Sequence, residues 1–114
     1  MGLDMYLYKW ARSNKAKMLD RIEGNTAEEV YYWRKAYLVH DFFCGVYEVE
    51  NCKDVEITRE DINNLIGYLQ TAITQNRADE YYDLEDMKGW IKDLMKIETE
   101  FDFENYQMVY HAWW

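Results

Sequence analysis

The stretch LDMYLYKW, residues 3–10, sets Leu3, Met5 and Leu7 against Asp4, Tyr6 and Tyr8. Such alternation with a period of two belongs to a β-strand with one buried face. Near the other end, ENYQMVYHAWW (104–114) repeats the pattern, with Tyr106, Met108, Tyr110 and Ala112 opposite Gln107, Val109, His111 and Trp113. Isolated strands are not stable in water and must pair. The remaining strand candidate is the short DVEI at 54–57. The expectation is a small, mostly antiparallel sheet formed largely by the N- and C-terminal strands.

Three helical patterns lie between these strands. EEVYYWRKAYLVHDFF (28–43) follows Thr26, and Thr26 with Glu29 has capping-box spacing, which predicts one helix running to about Cys44. Thr58 with Asp61 opens a second, whose Ile62, Leu65, Ile66, Leu69, Ala72 and Ile73 form an apolar stripe at spacings of three and four. The third begins near Asp83, turning Leu84, Met87, Ile91, Leu94 and Met95 inward and leaving Asp86, Lys92, Asp93 and Lys96 to solvent. Residues 11–25 read as a loop with a helical turn capped by Asn14, and residues 74–82 as an exposed connection. The fold class that follows is α+β, a single domain over 1–114, with the sheet packed against three helices on one face.

With 114 residues there is room for one core, and an aromatic fraction of 18% separates the chain from disordered sequences. Two cysteines, Cys44 and Cys52, are too few for a disulfide framework and read as core thiols. The opening MGLDMYLYKW lacks the apolar block of a signal peptide, and no apolar run reaches the roughly 20 residues of a membrane span, so a soluble cytoplasmic protein is expected. The net charge of −9 is uneven: residues 1–35 carry seven bases and five acids, residues 36–114 six bases and seventeen acids. Such a field repels nucleic acid and attracts basic protein surfaces.

No constellation of catalytic residues is present: there is no Gly-rich phosphate loop, no H-E-x-x-H and no G-x-S-x-G. An enzyme is therefore not expected, nor is a cofactor. Helical spacing puts His40 at the edge of a buried stripe, where a packed neutral ring is the ordinary outcome, with Cys44 one turn away. Adding Cys52 and His111 would make a two-cysteine, two-histidine zinc set, but the close ligand pairs of structural zinc sites are missing, so no metal is expected. Paired acids such as Glu85 and Asp86 sit at a helix start, where capping accounts for them. The aromatics Tyr31, Tyr81, Tyr82, Trp90, Trp113 and Trp114 exceed what so small a core hides, and Tyr and Trp anchor interfaces.

Taken in order, GLDMYLY, EEVYYWRKAYLVHDFF, the NC of Asn51 and Cys52 ahead of EITREDINNLI, DEYYDLEDMKGWIKDL, and a last strand ending in tryptophan resemble a family of small phage and prophage proteins. Residues 2–7, residues 32–36 and His40 match its pattern, whereas Tyr37 stands where Asn is usual and no Phe-Phe-Gly run precedes Glu80. The resemblance implies phage origin and expression in the cytoplasm of an infected bacterium, with no particular chemistry. By analogy of size and charge, the expected function is to bind and inhibit a basic host protein, in the manner of an anti-CRISPR inhibitor of a defence nuclease. Asp79, Glu80, Glu85, Asp86 and Asp93 would then imitate phosphates, with Tyr81 and Tyr82 as anchors. The alternative is a small-ligand or nucleotide-binding protein, possessing enzymatic activity or not, built around Trp33, Arg34, Lys35, His40 and the last strand.

Overall fold

The computed structural model describes residues 2–12, 27–49, 51 and 53–114. Strand β1 (Asp4–Ala11) is followed by β2 (Glu28–Arg34), α1 (Tyr37–Val46), β3 (Asp54–Ile57), α2 (Arg59–Thr74), α3 (Leu84–Glu100) and β4 (Tyr106–Trp113). The four strands form one antiparallel sheet in the order β2-β1-β4-β3. The two strands read from the ends of the sequence are its centre, paired along their whole length from Asp4 opposite Trp113 to Ala11 opposite Tyr106.

One face of the sheet carries Met5, Leu7, Trp33, Ile57, Met108, Tyr110 and Ala112 into a core shared with the three helices. Burial of α2 follows its predicted stripe, with Ile62, Leu65, Leu69 and Ala72 fully enclosed, and Thr58 with Asp61 makes the expected capping box. Helix α3 starts from Asp83 in the same way, with Asp86 as its reciprocal partner. Met95, expected inside, is 45% exposed, and Trp90 takes the buried place beside Met87, Ile91 and Leu94. Among the described residues, no helix is long and apolar enough to cross a membrane.

The single helix expected over 28–43 is instead a strand followed by a helix. Val30, Tyr31, Tyr32 and Trp33 are β-branched or aromatic and suit a pleated surface, and β1 still has a hydrogen-bonding edge to fill once β4 is in place. Strand β2 fills it, pairing Met5 with Trp33 and Leu7 with Tyr31 before a register shift between Leu7 and Tyr8. Lys35 then turns the chain with a left-handed φ of 56°, and its N–H donates to the Leu3 carbonyl at 2.7 Å. The proposed cap Thr26, the turn from Asn14, and Cys52 lie outside the described residues.

The second sheet face is lined by aromatic and polar side chains, with Tyr32 42% and Trp113 48% exposed. Val109 and His111 are buried, and His111 Nδ1 lies 2.6 Å from the buried Asp54 carboxylate. Tyr6 stacks on Tyr8 at 5.2 Å and lies 5.0 Å from Tyr32 and 6.3 Å from Trp113.

Candidate functional site

The acidic residues singled out from sequence are mostly engaged within the chain. Asp79 is 5% exposed, and its carboxylate accepts the backbone N–H groups of Tyr37 at 3.3 Å, Leu38 at 2.9 Å and Glu80 at 2.7 Å. The residue at the cap position of α1 is Ala36, which has no side chain able to cap; an acid distant in sequence supplies what the helix start lacks. Asp79 is therefore a buried cap of α1 and not part of an acidic surface. Asp86 accepts the Asp83 N–H at 3.2 Å in the capping box of α3, Asp93 accepts the Tyr31 hydroxyl at 2.6 Å, and Glu85 pairs with Lys88 at 2.9 Å. Lys88, Lys92 and Lys96 recur along the exposed side of α3, so that helix presents both signs of charge. Tyr82 donates its hydroxyl to the Arg34 carbonyl and packs edge-on against Trp90. Glu80 and Tyr81 remain at the surface, Tyr81 57% exposed.

The alternative set divides differently. Trp33 is buried in the core against Tyr31 and contributes nothing to a surface. Arg34, Lys35 and His40 do converge. A concavity of about 310 Å³ is lined by Gly2, Leu3, Tyr37, His40 and Trp114. A Cβ built on Gly2 would stand 3.1 Å from Nε and Nη2 of Arg34 and 3.3 Å from Cε of Lys35. The guanidinium and the lysine stem thus lie across the glycine backbone at the rim, an approach that the missing side chain permits. The Lys35 ammonium sits 5.0 Å from the centre of the Tyr81 ring, and Tyr81 lies 6.0 Å from Tyr37. Tyr37, His40 and Trp114 therefore line one opening, with Arg34 and Lys35 lying across the Gly2 that also lines it.

His40 occupies the inner wall. Its Nδ1 lies 2.6 Å from the Tyr110 hydroxyl, and its Nε2 lies 3.5 Å from Cys44 Sγ. The ring meets Trp114 edge-on at 5.0 Å. Trp114 is held by Asn51, whose side-chain amide accepts the Trp114 N–H at 2.8 Å and donates to its carbonyl at 3.0 Å. Tyr110 is fully buried and stacks on Phe43 at 4.2 Å. Burial lowers the His40 pKa, with Asp41 opposing it. Burial also raises the pKa of Cys44, and Asp41 adds to that effect. Cys44 is exposed, contrary to the core position expected for it, and it stays a thiol rather than the thiolate a nucleophile requires. His111 projects from the opposite face of the sheet to the core side that holds Tyr110 and His40, so these two histidines do not share a ligand set.

A larger concavity, about 380 Å³, lies at the other end of β1, where Glu28, Glu29, Glu100 and Asp102 surround Phe101 and Tyr106. Lys9 already answers its charge, 3.6 Å from Glu28 and 5.0 Å from the centre of the Tyr106 ring. Size alone does not favour it, since the hydrogen-bonded chain of Tyr110, His40 and Cys44 does not reach it.

The sequence missed the roles of Asp79, Tyr110, Asn51 and Gly2. Ala36 at the start of α1 was the one available signal, because a helix start without a capping side chain must find an acceptor elsewhere. No family model, curated protein or solved structure matches the chain.

Proposed function

We propose that the protein binds a small anion carrying a planar ring, in the concavity between the start of β1, α1 and Trp114. The observation that carries this is the placement of Arg34 and Lys35 across Gly2, which lines the same concavity as His40 and Trp114, in a chain whose net charge is −9. Guanidinium and ammonium groups recognise carboxylate or phosphate oxygens, and the edges and faces of Tyr37, His40 and Trp114 provide a stacking wall for a ring. Pockets of roughly 300 Å³ or more suit a small ligand.

Phenyl phosphate is a suitable probe, with inorganic phosphate and phenol as its two halves. Titration followed by Trp fluorescence and by the indole and imidazole NMR resonances is expected to saturate with phenyl phosphate and to be weaker with either half. Each charge-assisted contact contributes about 1.5–3 kcal/mol, so Arg34→Ala and Lys35→Ala should each weaken binding about tenfold or more. No saturable change with phenyl phosphate, in protein shown to be folded, refutes the proposal.

The net charge, together with the exposure of Glu80 and Tyr81, favours a second function, inhibition of a basic host protein such as a defence nuclease. Loss of Arg34 and Lys35 distinguishes the two, because an inhibitor acting through its acids tolerates both substitutions. Association that slows as salt rises would be its signature.

A further inference from the structure

We propose that Tyr110 selects which nitrogen of His40 carries the hydrogen, so that His40 meets the ligand as a neutral Nε2–H donor matched to a carboxylate or phosphate oxygen. The ligand half of this rests on the binding function proposed above; the tautomer half does not.

The Tyr110 side chain is fully enclosed, and among the described residues the hydrogen-bond partner of its hydroxyl is His40 Nδ1 at 2.6 Å. A phenol has one hydrogen to donate, and a buried O–H that donates to nothing is left with the desolvation cost of an unsatisfied group. Nδ1 can accept that hydrogen only when it bears none of its own. The neutral ring must then hold its hydrogen on Nε2. Burial acts in the same direction on both partners, opposing a second proton on His40 and retaining the proton of Tyr110. The ring is also held in place, with Trp114 against its edge and Phe43 stacked on Tyr110 behind it.

Two consequences follow for the chemistry. The nitrogen 3.5 Å from Cys44 already carries a hydrogen, so His40 cannot take up the thiol proton and the pair does not generate a nucleophile. Sulfur is also a weak acceptor, which leaves the Nε2–H donor ready for a stronger one, and an anionic oxygen is the strongest available. Tyr110 is thus a positioning residue: it does not face the ligand but determines what His40 offers it.

Long-range ¹H–¹⁵N correlation spectra of labelled protein distinguish protonated from unprotonated ring nitrogens. The unaltered protein is expected to show His40 with its hydrogen on Nε2, and Tyr110→Phe, which keeps the ring on Phe43, to show a mixture. Hydrogen on Nδ1 in the unaltered protein, or an unchanged tautomer in Tyr110→Phe, overturns the assignment, and neither observation requires a ligand. In the binding arm, Tyr110→Phe should weaken phenyl phosphate about three- to tenfold, the contribution of one hydrogen bond. His40→Gln supplies an amide donor that has no tautomers but loses the stacking ring; whatever affinity it retains, adding Tyr110→Phe to it should change nothing further. Equal binding by the unaltered protein and Tyr110→Phe, or a further loss in the double variant, overturns the donor role. If phenyl phosphate fails to bind the unaltered protein, the binding function and the donor role fall together, while the spectra alone decide the tautomer.

Discussion

Replacing Asp79 with Ala should destabilise the protein far more than removing a surface charge would. Its carboxylate accepts three backbone N–H groups, at 3.3, 2.9 and 2.7 Å, from a site that is 5% exposed. Loss of a helix cap costs about 1 kcal/mol, and stranding buried donors that had a charged acceptor adds about 2 kcal/mol more, for a total of about 3 kcal/mol. An unfolding entropy of about 2.1 cal/mol/K per residue over 114 residues converts this into a fall in Tm of about 12 °C. Asp79→Asn keeps one acceptor oxygen and should cost about a third as much. Thermal unfolding followed by circular dichroism measures both, and hydrogen exchange should show the first turn of α1 losing protection before α2 or α3. A fall of less than about 3 °C in Asp79→Ala, coupled to slower association with a basic partner, would return Asp79 to the surface and refute the capping argument.

Phe43→Ala removes a fully buried ring stacked on Tyr110 at 4.2 Å and should lower stability by about 3–5 kcal/mol, read from the urea midpoint; a loss below about 1 kcal/mol would mean that the core behind His40 is not packed as described. Alkaline titration of the tyrosines should be delayed in the folded protein, because the bond to Asp4 raises Tyr32 to about 12 and burial raises Tyr8 to about 12. A folded pKa above the unfolded value of 10.0 stabilises the protein below pH 10 and ceases to do so as pH rises through about 12, so stability should fall across that interval. Asp4→Asn should return Tyr32 toward its ordinary value in the phenolate absorbance, and an unchanged curve would contradict the Tyr32–Asp4 bond.

Much of the architecture was legible in side-chain periodicity. The period-two alternation of residues 3–8 and 106–113 located the central strands, and the stripe from Ile62 to Ala72 located α2, because each pattern is compatible with one backbone repeat. Residues 28–34 were not legible for the opposite reason. Val30, Tyr31, Tyr32 and Trp33 form a short apolar block that fits a helix stripe or a strand, and the open edge of β1 decides between them, which is a tertiary fact. The site was half legible. Arg34, Lys35 and His40 were singled out by type, but Trp33 joins the core because successive strand residues face opposite sides. Gly2, Asn51, Tyr110 and Trp114 reach His40 or the basic pair only through the pairing of distant strands and through loop contacts that no local pattern encodes.

Pairing of β1 with β4 also governs the order in which the chain can assemble. Trp10 and Gln107, whose side chains bond across that pair, stand 97 residues apart in sequence. Contacts between such distant segments give the topology a high contact order, and closing a long loop before any reward makes folding slow. On the ribosome, β1 can form a hairpin with β2 early, but its other edge has no partner until β4, on the order of a hundred residues later, has been made. That waiting edge, bearing Tyr6, Tyr8 and Trp10, can pair with another nascent chain. Translation that halts before β4 would therefore release an aggregation-prone fragment, and the last strand acts as a lock against self-association as much as a wall of the ligand site.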